Sequence, residues 1–166
     1  MGSNNNFQSL SGQQGRDFEE TCVKALEFAG WEIVDRRVSL PTVEIDIIAT
    51  NNDGISFYIT CKGSIRGPRP GFKRTDTIKK AIAEAHFIKY EGFAPVLVMA
   101  SPLPTAEVGR ATAMIKALDR NFIYDIINPY SDGKRIKWMC NATEEQLKED
   151  IEKHPSLWDL IRERNI

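Results

Sequence analysis

Two β-type runs on either side of a short polar turn constrain this chain more than any other feature. Thr42-Val43-Glu44-Ile45-Asp46-Ile47-Ile48-Ala49 and Ile55-Ser56-Phe57-Tyr58-Ile59-Thr60-Cys61-Lys62 flank Asn51-Asn52-Asp53-Gly54. Apolar, β-branched runs on either side of an Asn/Asp/Gly turn predict an antiparallel hairpin. Side chains alternate along a strand, so Glu44 and Asp46 share one face of the first run. Tyr58, Thr60 and Lys62 share one face of the second. With Asp46 paired near Thr60, acid and amine converge at the strand ends. A polar row in an apolar hairpin is costly unless it is compensated. A carboxylate offers hard oxygen ligands to a divalent cation, and an ammonium stabilises phosphoryl charge or positions an attacking water.

The charge pattern points to a polyanionic partner. The net charge is −1. Residues 62–80 nevertheless hold Lys62, Arg66, Arg69, Lys73, Arg74, Lys79 and Lys80 against the single acid Asp76, a local +6 that leaves −7 elsewhere. A run of this kind is often only a solvated face. Here it starts at the hairpin lysine and is threaded with Gly63, Gly67, Pro68, Pro70 and Gly71. A constrained basic loop suits phosphate-backbone contacts. The loop expected over 62–75 is longer than an ordinary connection, and such loops are disproportionately functional.

Around the hairpin, helical and strand signals alternate. Phe18, Cys22, Ala25 and Leu26 give helical spacing over 15–29, and Trp31–Val38 reads as a strand. Asp76 is placed to cap a helix reaching about Tyr90. On it, Lys80 and Glu84 are four apart and suit a solvent-exposed pair as well as a metal role for Glu84. Ala94–Ala100 reads as a strand buried on both faces. A helix is expected over Thr105–Leu118, a strand over Phe122–Ile127 and a short edge strand over Arg135–Cys140. Thr143-Glu144-Glu145-Gln146 matches a capping box, with Pro155 interrupting its helix and Ser156 restarting it. Helices alternating with strands imply an α/β sandwich.

Composition narrows the class. With 166 residues, 42% hydrophobic and 27% charged, the chain reads as one soluble globular domain with a full core. Residues 1–14 are expected to be a flexible polar segment opening on the vector-like Met1-Gly2-Ser3. Residues 15–140 form the domain proper, and 141–166 a helical extension packing on it. No apolar run approaches the roughly 18–20 residues of a membrane span, and a secretory signal pattern is missing. Cys22, Cys61 and Cys140 form neither a zinc pattern nor a disulfide framework, which favours a cytoplasmic, intracellular setting. Cys61 alternates away from Lys62 and is expected in the core. The only histidines are His86 and His154, which excludes a histidine-rich metal site.

Gly15-Arg16-Asp17-Phe18-Glu19, Leu26-Glu27-Phe28-Ala29-Gly30-Trp31, Asp46 and Cys61-Lys62 stand in an order that resembles the PD-(D/E)XK nuclease superfamily. The first two motifs resemble the opening helix of its Mrr-like and Holliday-junction-resolvase-like branches. The resemblance covers residues 15–62 by motif and extends to about 127 by order of elements. It implies a restriction-endonuclease-like three-layer α/β sandwich, with a central mixed β-sheet flanked by helices. It also implies a metal-dependent endonuclease that hydrolyses DNA, or RNA, with Mg2+ or Mn2+ and no small-molecule cofactor. By that resemblance Asp46, Lys62 and Glu19 are catalytic, and Asp46, Glu19 and Glu44 hold the metal. In the same reading the basic run, through Arg66, Arg69, Lys73, Arg74 and Lys79, is expected to bind the nucleic-acid backbone, and the resemblance implies a homodimer as the active form. The sequence departs from the family at Thr60, where an acid or Gln is usual. Glu44 and Glu84 are the candidate substitutes. Two alternatives stand beside this reading: a degenerate relative that binds nucleic acid without cutting, and a protein-interaction module using residues 143–164.

Overall fold

The computed structural model describes the backbone of residues 2–63 and 71–164, with side chains from residue 15 onward. Helix α1 (Gly2–Phe28) is followed by β1 (Glu32–Ser39), β2 (Glu44–Thr50) and β3 (Ser56–Gly63). A 3-10 turn at Gly71–Lys73 precedes α2 (Thr75–Tyr90), β4 (Val96–Ser101), α3 (Arg110–Lys116) and β5 (Asp125–Ile127). Helices α4 (Gly133–Asn141), α5 (Glu144–Lys153) and α6 (Leu157–Arg164) follow. The sheet order is β1-β2-β3-β4-β5, with β1, β2 and β3 antiparallel and β3, β4 and β5 parallel. The protein is therefore α/β with a five-stranded mixed sheet. Among the described residues no helix is long and apolar enough to cross a membrane.

The predicted hairpin forms, with Ile47 opposite Ile59 and Thr50 opposite Ser56. Its turn is organised by buried Asn51. The Asn51 side-chain oxygen accepts from the Asp53 and Ile55 amides, and its Nδ2 donates to the carbonyls of Met139 and Ala142. One side chain thus shapes the turn and pins it to the end of α4. Strand β4, flanked by β3 and β5, is buried on both faces, as its unbroken apolar run implies.

Two apolar layers sandwich the sheet. Phe18, Cys22 and Leu26 of α1 pack with Ile47, Ala49, Phe57, Ile59 and the α4 residues Ile136, Met139 and Cys140. On the other side Ile78, Ala81, Ala85 and Ile88 of α2 pack with Val96, Val98, Ile115 and Trp158. Strand β2 contributes to both layers. Ile47 and Ala49 belong to the α1 side, whereas Ile45 and its cross-strand partner Val38 belong to the α2 side. Strict alternation would keep Ile45 with Ile47. The change of face falls at Asp46 and at Arg37, which stands between the paired positions Arg36↔Ile47 and Val38↔Ile45. Arg37 has φ 53°, the left-handed region that non-glycine residues seldom occupy. That backbone turns the β1–β2 ribbon over and leaves Asp46 at the crossing point.

Several expectations are corrected. Arg135–Cys140 is the middle of α4, not a strand. Its polar–apolar alternation also satisfies helical spacing, which buries Ile136, Met139 and Cys140. Helix α3 begins only at Arg110, after Pro102, Pro104 and the left-handed Gly109. The preceding segment is tied down by Thr112 Oγ1 donating to the Ala106 carbonyl. Strand β5 is confined to Asp125–Ile127. Helix α1 starts at Gly2 rather than near residue 15, with no proline to interrupt it. Arg74, in an extended conformation, occupies the N-cap of α2, while Asp76 lies in its first turn. The Thr143–Gln146 capping box forms as read, and Ser156 Oγ accepts from the Asp159 amide at the restart after Pro155.

Candidate active site

The β2–β3 ladder ends at the Ile47↔Ile59 pair, and beyond it the next cross-strand link runs through a side chain. Asp46 Oδ2 accepts from the backbone amide of Cys61 at 2.7 Å, so a carboxylate occupies the place of a ladder hydrogen bond. Fully buried Thr60 lies at this fork. Its hydroxyl contacts Asp46 Oδ2 at 3.4 Å and makes a short hydrogen bond to Glu84 Oε2 on α2. Lys62 Nζ donates to the other Glu84 oxygen at 2.7 Å. A hydroxyl has one proton to give. Glu84 takes it, and Asp46 is left to the Cys61 amide.

Electrostatics follow from this geometry. Burial raises the pKa of Asp46 to about 6, against the Cys61 hydrogen bond and the nearby Lys62 charge, both of which lower it. The carboxylates of Glu84 and Glu19 add to the rise. Asp46 is thus an acid with too little positive charge around it.

Glu19 is buried on α1, where both arginines of β1 reach it. Arg36 Nη2 and Arg37 Nε donate to the same oxygen, Oε2, at 2.7 and 3.0 Å. Arg36 also pairs with Glu20 at 2.6 Å. The seating of α1 depends on Gly63, because a Cβ there would collide with the Phe18 ring. Phe18 immediately precedes Glu19, so a bare backbone at the end of β3 lets the helix bring its acid toward the fork.

The structure therefore brings Asp46, Thr60, Lys62 and Glu84 into direct contact and sets Glu19 within electrostatic range. Glu44 stays apart: it is exposed at the start of β2, and its side chain makes no hydrogen bond or ion pair among the described residues. Of the two candidate substitutes for the missing acid, Glu84 is the one that reaches Thr60. The expected exposed Lys80–Glu84 pair gives way to the Lys62–Glu84 pair. Lys73, Arg74 and Lys79 are exposed around the start of α2, whereas Arg66 and Arg69 lie outside the described residues. Cys61 packs against the α1-side core. A hydrogen bond with Cys22, together with burial, pushes its thiol well above the ordinary range, which removes it as a nucleophile. His86 is exposed beside Phe87.

No protein-family model matches this chain, and no curated protein matches it.

The donor set fits a hard divalent cation of the magnesium type. Such ions keep several waters and take one or two carboxylates, with substrate phosphate completing the shell. Asp46 and Glu84 supply two carboxylates on either side of one hydroxyl. Among the described residues no group of three or more acidic, histidine or cysteine side chains is assembled for a metal. A site of this kind would need water and substrate to complete it. The sequence signals Arg36 and Arg37 only through three consecutive charged residues, Asp35-Arg36-Arg37, inside a strand.

Proposed function

We propose that the fork between β2 and β3 is the active site of a divalent-cation-dependent endonuclease of the restriction-endonuclease-like fold, acting on DNA as a homodimer. The observation that carries the reading is the shared contact of Asp46 and Glu84 with the Thr60 hydroxyl, with Lys62 on the far oxygen of Glu84. In this reading Glu84, reaching in from α2, stands where the resemblance would have an acid at Thr60.

Asp46 and Glu84 would hold the ion, Mg2+ or Mn2+, which when bound supplies Lewis acidity and charge neutralisation at a phosphodiester. Lys62, presented beside the two acids, would set its ammonium against the scissile phosphate and orient the attacking water. Thr60 fixes the Glu84 carboxylate by hydrogen bond. The Cys61 amide fixes Asp46. Phosphoryl transfer depends mainly on positioning and electrostatics, so a small rigid set suffices. Exposed Lys73, Arg74 and Lys79 would hold the backbone of the nucleic acid. A groove of about 470 Å³ lined by Lys73, Thr75, Thr105 and Arg110 extends the basic surface toward α3.

The test is plasmid cleavage with Mg2+ or Mn2+ by wild type, Asp46→Ala, Lys62→Ala and Glu84→Ala. Cleavage by wild type and its loss in all three, with DNA binding retained, is expected. A double variant, Thr60→Glu with Glu84→Ala, returns the acid to β3 and is expected to recover part of the activity lost in Glu84→Ala. The second reading is a fold relative that binds nucleic acid without cutting, in which Thr60 stands where the resemblance has an acid and the exposed Lys73, Arg74 and Lys79 keep their role. Wild type that binds duplex in a salt-dependent way, takes up no Mn2+ in calorimetry and never cuts DNA or RNA would establish that reading instead.

A further inference from the structure

We infer that Arg37 is a phosphate-binding residue of this site, aimed by Glu19 at the substrate strand beside Asp46. The inference rests on the nuclease reading above and assigns it a cation that lies outside the basic segment 62–80.

Three observations converge on Arg37. Neighbouring strand residues point to opposite faces, yet Arg36 and Arg37 both end on Glu19 Oε2. The left-handed backbone at Arg37, φ 53°, makes that possible. Glycine or asparagine adopts this conformation with least strain, so an arginine here retains a backbone cost that its side chain must offset.

The second observation is how the guanidinium is used. Arg36 is held by Glu19 and Glu20 together and fixes the buried carboxylate. Arg37 is half exposed and gives Glu19 only Nε. Among the described residues its two terminal nitrogens, Nη1 and Nη2, meet no acceptor. Those nitrogens form the planar edge that binds phosphate oxygens in pairs. Among the described residues Arg36 Nε is a further buried donor without a hydrogen-bond partner at the same place.

The third observation is position. Arg37 stands opposite Asp46 in the β1–β2 ladder, between the Arg36↔Ile47 and Val38↔Ile45 pairs. Adjacent strands lie about 5 Å apart, so the arginine springs from the backbone next to the acid at the fork. A strand whose scissile phosphate lies at Asp46 and Lys62 would pass its neighbouring phosphate within reach of Arg37. Glu19 then serves as a positioning residue, gripping Nε so that the outer edge faces the substrate.

Arg37→Gly and Arg37→Lys separate this role from a structural one. Arg37→Gly relieves the backbone and is expected to melt no lower than wild type. It should flatten the salt dependence of binding to a plain DNA duplex by about one unit of log K per log salt, the signature of one lost phosphate contact. Cleavage of plasmid should slow by about tenfold or more. Arg37→Lys keeps the charge and loses the paired edge, so it should keep most of the salt dependence while cutting more slowly than wild type. If Arg37→Gly binds with an unchanged salt slope and cuts at the wild-type rate, while Lys79→Ala flattens the slope, the role of Arg37 is refuted and the nuclease reading survives. If Arg37→Gly fails to fold, wild-type cleavage by Arg37→Lys refutes it in the same way. Wild type that neither binds nor cuts duplex refutes the nuclease reading and this inference with it.

Discussion

Asp46 and Asp150 are both carboxylates drawn into the protein, and their surroundings drive them in opposite directions. Burial by itself would raise Asp150 on α5, but hydrogen bonds from Arg135 and Arg120 hold it well below the usual carboxylate range. Tyr124 adds a third donor at 2.8 Å. Fully buried Asp125 is gripped by Arg135 and by both terminal nitrogens of Arg164. Arg120, almost wholly buried, also satisfies the carbonyls of Tyr124, Asp150 and His154. This cluster welds β5 to α4, α5 and α6. At the fork, Asp46 receives one backbone amide and a long contact from Thr60, and it titrates near 6. An acid met by several arginine donors in this way has little left to offer a ligand, although Arg164 Nε and Asp132 Oδ1 at the edge of the cluster make no hydrogen bond among the described residues. An undersupplied acid gains when a cation or a substrate arrives, which is how perturbed acids mark functional sites.

The contrast can be broken first at its saturated end. Asp150→Asn leaves Arg120 and Arg135 without their shared charge and should cost about 3–5 kcal/mol in urea unfolding. Because the folded pKa of Asp150 lies below the unfolded value of about 3.9, its contribution is complete above that pH and is lost as pH falls through and below it. The Asn variant should therefore approach wild type in stability under strong acid. A loss below about 1 kcal/mol at pH 7 would show that the network is not what holds the last three helices.

Gly63→Ala probes the link between the apolar layer and the fork. The added methyl meets the Phe18 ring and should destabilise by about 1–3 kcal/mol. It should also slow cleavage, since Glu19 moves with Phe18. An equally stable and active variant would detach α1 from the site.

Asp46→Asn sharpens the comparison by changing sign. Asparagine can still accept from the Cys61 amide, and it removes a carboxylate that is poorly solvated when ionised. A raised folded pKa means that the folded state holds the proton more tightly. Wild type is therefore unpenalised below about pH 4 and loses stability as pH rises through about 6. After allowance for partial exposure, the variant should be about 1–2 kcal/mol more stable than wild type at pH 8 and equal to it at pH 4. It should not cut DNA. Thermal melts across pH measure this, and a variant less stable than wild type at pH 8 would contradict the undersupplied-acid picture. The smallest effect is expected at Lys79. Lys79→Ala should leave stability within about 0.5 kcal/mol and reduce the salt slope of duplex binding by about 0.9.

Much of this arrangement was legible in the chain. The hairpin follows from two β-branched runs around Asn51–Gly54, and period-two alternation puts Thr60 and Lys62 on one face. The capping box at Thr143 and the buried strand at Val96–Ser101 are local patterns that packing left intact. Residues 135–140 failed because their pattern fits both periods over so short a stretch, and only burial of Ile136, Met139 and Cys140 against α1 decides between them.

The chain alone also fixed the kinds of group available: an acid on one strand, an amine on the next, and cations in the segment that follows. Tertiary structure decided which of them meet. Glu84 is placed by the docking of α2 on the sheet, a long-range event that no spacing rule between residues 60, 62 and 84 contains. The left-handed turn at Arg37, which carries β1 and β2 from one apolar layer to the other and points two arginines at one carboxylate, is likewise a compromise between two faces competing for burial. Periodicity encodes which side of an element is apolar. It does not encode where a twisted ribbon turns over, because that is settled by the layers packed against it.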